Sequence, residues 1–169
     1  MKKEQVAEIV QTTPEAIRTL LQGVDPALHM WQPKAGEWSI NQIIGHLIEA
    51  DRYAFSERIR LMVTEEEPEI SGVDVNMLAA QRSDNNEDAF DLLATLAEQR
   101  VEHVKLIESL NDEQMARTGY FKKHGLFLVS DFVYEWAYHD CDHMQQILEI
   151  IKSKTWSHFS ATMQKALGS

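Results

Sequence analysis

The stretch FVYEWAYHDCDHMQQILEI, residues 132–150, decides how the rest of the chain is read. Phe132, Trp136, His139, His143, Ile147 and Ile150 recur at spacings of three and four, which puts them on one face of a long amphipathic helix. Two successive steps of that otherwise apolar stripe are histidines. Side chains at i and i+4 have β-carbons about 5–6 Å apart, so two imidazoles there can meet on one small cation through bonds of about 2.0–2.1 Å. Seven histidines in 169 residues produce such a pair by chance about one time in four. A pair of satisfied core histidines is therefore an equal reading of the spacing alone.

Working outward, three more amphipathic segments precede this one. The first carries Val6, Ile9, Val10, Ile17, Leu20 and Leu21, with a kink or restart expected at Thr13-Pro14 and a stop near Gly23. The second opens at Ser39, read as an N-cap. Its stripe is Ile40, Ile43, Ile44, Leu47, Ala50, Ala54 and Leu61, ending near Glu65. The third runs from about Glu87 to Leu110 with Phe90, Leu93, Leu96, Ala97, Val101, Val104 and Ile107 inward. Residues 66–84 form a long connection, and Gly119 and Gly125 bracket a small hairpin. Ser130 is the expected cap of the fourth helix, and Trp156 and Phe159 belong to a short extra helix packed on the bundle. These segments predict an all-α four-helix bundle, residues 1–169 forming one domain.

His46 falls between Ile43 and Ala50, one turn from each, on the inward side of the second helix. A third imidazole from a facing helix would complete a three-histidine metal site with open positions, and bundle cores are a normal place for such sites. The spelling excludes two rivals. There are no paired Glu-x-x-His motifs for a di-iron centre, and His139-Asp140-Cys141-Asp142-His143 lacks the Glu of a zincin. His29, His103, His124 and His158 are expected on the surface. Cys141 is expected to face away from the metal as a buried packing residue.

The runs Glu37-Trp38-Ser39-Ile40 and Ile44-Gly45-His46-Leu47-Ile48-Glu49-Ala50-Asp51-Arg52 resemble the second-helix signature of the DinB/YfiT-like superfamily. The run from Trp136 to Ile147 resembles its fourth-helix signature, and the two stand in the family's order and separation. The resemblance implies up-down-down-up helix order, with residues 66–84 as the crossover between helices 2 and 3. It implies that His46, His139 and His143 ligate one divalent ion, and that the chain forms homodimers. Relatives of that family include metal-dependent transferases and isomerases using bacillithiol, mycothiol or glutathione, and metal-dependent hydrolases. A low-molecular-weight-thiol S-transferase is the first expectation, with a hydrolase or a non-catalytic metal-binding bundle as alternatives. Zn or Ni is the expected ion, though imidazole also suits Cu and Fe.

Around the triad, Glu49 has two readings: a general base or orienting group, or a surface partner of Arg52 or Arg60. Asp140 and Asp142 lie off the stripe, to solvate the helix or to support the ligands from behind. Trp38, Tyr53 and Tyr138 are candidates for the pocket wall. A net charge of −11 argues against nucleic acid or an anionic membrane as partner, and no apolar run approaches the roughly 20 residues of a spanning helix. A lone cysteine, Cys141, and a charged N-terminus without an apolar segment fit the cytoplasm. Because ligation needs unprotonated imidazoles, metal affinity is expected to fall below about pH 6.5.

Overall fold

A computed structural model describes residues 1–168, the Asn76 side chain excepted. In chain order come α1 (Lys3–Leu21), the short α2 (Pro26–His29), and α3 (Ile40–Glu49), which continues through a π-helical segment (Ala50–Ser56) into α4 (Glu57–Thr64). Next are α5 (Val75–Gln81), a 3-10 turn (Asp84–Asn86), α6 (Ala89–Ser109) and α7 (Asp112–Met115). A hairpin of β1 (Thr118–Phe121) and β2 (Gly125–Leu128) leads into α8 (Val129–Trp156), and α9 (Ala161–Leu167) closes the chain. The bundle helices are α1, the α3–π–α4 rod, α6 and α8. α1 packs along α6 and α8, and α3 along α6.

Ser39 caps the rod. Its hydroxyl accepts from the Gln42 N–H at 3.2 Å, while the Gln42 side-chain oxygen accepts from the Ser39 N–H at 3.0 Å. That reciprocal pair satisfies two amides the first turn leaves unpaired. Ser130 does not cap α8. The helix starts one residue earlier, and the Leu128 N–H is taken by Asp131 Oδ2 at 2.8 Å. The 66–84 connection is not structureless: α5 packs on α3, and the 3-10 turn is seated against the rod at Gly45. A β-carbon at Gly45 would lie 2.0 Å from Asp84 Oδ2, so only glycine leaves room for that carboxylate. The extra helix α9 forms beyond Trp156, but none of its residues is buried.

The rod departs from the predicted stripe in one respect. The sequence pattern puts Ala54 and Leu61 inward, whereas Phe55, Ile59 and Met62 are the buried residues and Ala54 and Leu61 are only half-buried. The π segment explains the offset. The Glu57 N–H bonds to the Arg52 carbonyl, five residues back rather than four, and such a widened turn absorbs one extra residue. Everything downstream is turned by one position.

The core is divided. One apolar cluster gathers Val6, Val10, Phe55, Val104, Ile107 and Trp136. The other gathers Ile17, Ile44, Leu47, Leu96 and Ile147. On each bundle helix a polar residue stands at the boundary: Thr13 on α1, Asp51 in the π segment, Arg100 on α6 and Asp140 on α8, all buried. α6 accordingly differs from expectation. Arg100 and His103 are inward, Val101 is 55% exposed and Ala97 is exposed. His29 is also buried, edge-on to Phe90 at 6.0 Å between ring centroids. Cys141 is exposed rather than packed.

Arg100 is the centre of this layer. Its Nε and Nη2 donate to Asp51 at 2.7 and 3.1 Å, and its Nη1 and Nη2 donate to Asp140 at 2.7 Å each. Nη1 also donates to the Val10 carbonyl at 2.7 Å. That last bond accounts for how α1 runs unbroken through Pro14. Pro14 has no N–H to give to the carbonyl four residues back, which is Val10, and the guanidinium replaces the missing donor. Trp136 Nε1 adds a bond to Asp51 at 2.7 Å. Burial works against the Asp51 carboxylate, but Arg100 overcomes it and leaves the group below its usual pKa. Burial raises the pKa of Asp140 despite Arg100.

Replacing Arg100 by Ala would strand two buried carboxylates and one helical carbonyl. Urea unfolding should show a loss of about 3–5 kcal/mol. A loss below about 1 kcal/mol, the range of an exposed pair, would mean that the layer is not what joins the helices.

Candidate metal centre

His46 comes from α3, and His139 and His143 from successive turns of α8. His46 and His143 are 4% and 7% exposed, and His139 is half-buried. Their Nε2 atoms converge: His46 to His139 is 3.0 Å, and His139 to His143 is 3.1 Å. One ring nitrogen from each lies within 4.8 Å of the others. Nitrogens bonded at 2.0–2.1 Å to one ion sit about 3 Å apart, so the spacing fits a shared cation.

The protonation chemistry fits as well. Burial lowers the His46 pKa to about 4, with His143 adding to the effect. Burial lowers His139 to about 3, helped by His143 and His46. Burial lowers His143 too, although Gln146 and Asp142 oppose it. Three neutral rings therefore face one another at pH 7. His143 Nδ1 lies 2.9 Å from Gln146 Oε1. That oxygen only accepts, so Nδ1 carries the proton and Nε2 turns a lone pair inward. The Nδ1 atoms of His46 and His139 are buried without a hydrogen-bond partner among the described residues, so those rings are held by packing.

The packing comes from aromatic neighbours. Trp38, just ahead of the Ser39 cap, lies 4.7 Å from His46 and 6.1 Å from His143 between ring centroids. Phe55 meets His139 edge-on at 5.3 Å and stacks on Trp136 at 5.0 Å. The sequence pattern did not single out Phe55, because the π segment is what turns it inward. A cleft of about 660 Å³ has Trp38 and Gln146, which touch the triad, in its wall together with Lys34, Glu37 and Glu149, and none of the three histidines lines it.

The other sequence candidates are placed differently. Glu49 accepts from Arg82 Nη1 at 2.9 Å, and Arg82 Nε pairs with Asp84 at 2.8 Å. It thus clamps the 66–84 connection to the rod, while Arg52 pairs with Glu57 at 3.6 Å. Asp140 does not solvate the helix; it is fully buried on Arg100. Asp142 is exposed, and its charge favours the proton on His143. Tyr53 is half-buried with Arg52 over its ring at 4.9 Å, and Tyr138 is 74% exposed. Neither ring packs on the triad among the described contacts.

In the metal-free protein the depressed imidazoles link stability to pH. The unfolded chain binds their protons near pH 6.5, the folded chain only near pH 4 for His46 and pH 3 for His139. The unfolded state therefore holds more protons between these limits, and stability rises with pH there. The contribution is complete above about pH 6.5 and is lost progressively as the pH falls through 4. Thermal melts of chelator-treated protein should show this slope, and replacing His46 and His139 by Gln should flatten it.

With this geometry in view, three comparisons agree. A family model described as the DinB superfamily matches residues 9–147. YfiT of Bacillus subtilis (strain 168) is 20% identical over 157 residues, spanning 92% of this chain and 88% of that protein. The solved structure of B. subtilis YfiT, described as a probable metal-dependent hydrolase with an unusual four-helix bundle topology, superposes with a TM-score of 0.81. That match has 20% identity and covers 92% of this chain and 89% of that one, which carries the fold. The chain belongs to the DinB superfamily.

Proposed function

We propose that this chain is a metal-dependent enzyme of small-molecule substrates, a hydrolase in the first instance, with His46, His139 and His143 as the ligands of one divalent ion. The observation that carries this reading is the convergence of three neutral imidazoles on one point, with Nε2 distances of 3.0 and 3.1 Å. A divalent ion held by His46, His139 and His143 would act as a Lewis acid and make a water or thiol a strong nucleophile near neutral pH.

The chain's own residues do the rest. Trp38 and Phe55 fix the imidazole planes and keep bulk water from their faces. Gln146 holds the proton of His143 on Nδ1, away from the centre. In this reading the substrate approaches through the cleft walled by Trp38 and Gln146, the two residues it shares with the surroundings of the triad. The same arrangement serves a low-molecular-weight thiol, so S-transfer is the second reaction to assay. Homodimerisation in the cytoplasm belongs to this reading, supported by the family resemblance and by exposed Tyr134, Tyr138 and Leu148 on one face of α8.

Metal analysis should give one Zn or Ni per chain, and His46→Ala should weaken binding by about 100-fold or more with helicity retained. Since folding lowers all three imidazole pKa values, affinity should persist below the pH of about 6.5 at which free histidine is half protonated. Full occupancy in the His46 variant at unchanged affinity would overturn the site. Turnover of p-nitrophenyl acetate, or of monochlorobimane with glutathione, bacillithiol or mycothiol, should require the metal. No turnover in any metal form would leave a metal-binding bundle and overturn the enzyme.

A further inference from the structure

A second pocket lies away from the triad, where α4, the β-hairpin and the first turns of α8 meet. Phe132 in its wall precedes His139 by seven residues, about two helical turns. Its volume of about 570 Å³ is within the range of small-ligand sites. The floor is aromatic: Phe121 and Phe127 meet edge-on at 5.0 Å, and Phe121 stacks on Phe132 at 5.7 Å.

Arg58 extends across this floor, its Cζ 5.4 Å from the Phe121 centroid and 5.9 Å from that of Phe132. Its Nε is buried without a hydrogen-bond partner among the described residues. Burial lowers the Arg58 pKa, and the Glu135 carboxylate only partly offsets this. A guanidinium carries five donors and is costly to bury with its hydrogen bonds unmade. Lys122 and Lys123 stand at the pocket's edge on the hairpin tip, with His124 after them. The acids lining the pocket are Glu69 and Glu135. Three cations against two carboxylates make a locally positive patch on a chain whose net charge is −11.

We propose that this pocket binds a small aromatic anion, its ring on the phenylalanine floor and its carboxylate, sulfonate or phosphate against Arg58 and the hairpin lysines. Planar guanidinium suits such recognition because it pairs with an oxyanion in the plane while its face stays on the rings. Ligand and anion chemistry here are independent of the metal.

The test uses two fluorescent probes of the same shape on the full chain. 8-Anilinonaphthalene-1-sulfonate carries the charge, and N-phenyl-1-naphthylamine lacks it. The sulfonate should bind more tightly than the neutral probe. Lys122→Glu/Lys123→Glu, two surface changes, should weaken the sulfonate about tenfold with less than about twofold effect on the neutral probe. Arg58→Gln should weaken it further, with helicity and metal content unchanged. Unchanged sulfonate affinity in the lysine variant would overturn the proposal, as would an equal loss for both probes. Metal binding and turnover are read separately, so failure here leaves the three-histidine site standing, and failure there leaves this pocket standing.

Discussion

One buried guanidinium sets the arrangement of the bundle. Arg100 reaches a carbonyl on α1, a carboxylate in the π segment and a carboxylate on α8, and is itself carried by α6. Burial opposes its charge, but Asp51 and Asp140 outweigh that and raise its pKa. Taking three charges out of water is expensive, and apolar packing on either side of the layer would have held four helices together at less cost. What the layer adds is register. All five donors of the fork are matched to fixed acceptors on three other elements, and a shift of any one of those elements would leave a buried donor unpaired.

That alignment reaches the histidines through short lengths of helix. Asp140 is the residue after His139, and Asp51 follows His46 by five positions. Both acids are gripped by the same guanidinium, so the α3 and α8 backbones are located relative to each other beside the point where their imidazoles meet. Trp136 joins the two functions: its Nε1 bonds to Asp51 while its ring face stacks on Phe55, which in turn packs on His139. The layer lies next to the three-histidine cluster along both helices.

Much of this was legible in the sequence where a residue type and a helical pitch agree. His139 and His143 sit on an apolar stripe, and Ser39 with Gln42 forms a cap whose chemistry is local. Arg100 was not legible, because a periodicity argument looks for apolar residues and passes over a charge between Leu96 and Val104; the stripe was drawn through Ala97 and Val101 instead. Pro14 was legible as a lost hydrogen bond but not as a repaired one, since the donor comes from a residue far along the chain. The partner of Glu49 was hidden for the same reason: Arg82 arrives from the connection rather than from the same helix. Burial of His29 and His103 likewise depends on neighbours from other elements.

The π segment bears on how this helix is compared with those of relatives. Residues 40–49 and 57–64 obey one pitch each, but their phases differ by the one residue absorbed between them. Against a relative whose second helix is α-helical throughout, the two blocks cannot both be aligned without a gap. A continuous alignment that matched His46 would set Ala54 and Leu61 against the relative's core positions and report Phe55 and Met62 as surface residues. Placing a single-residue gap within 50–56 restores both halves. Conservation of the His46 face and conservation of the core then become two separate records written along one helix.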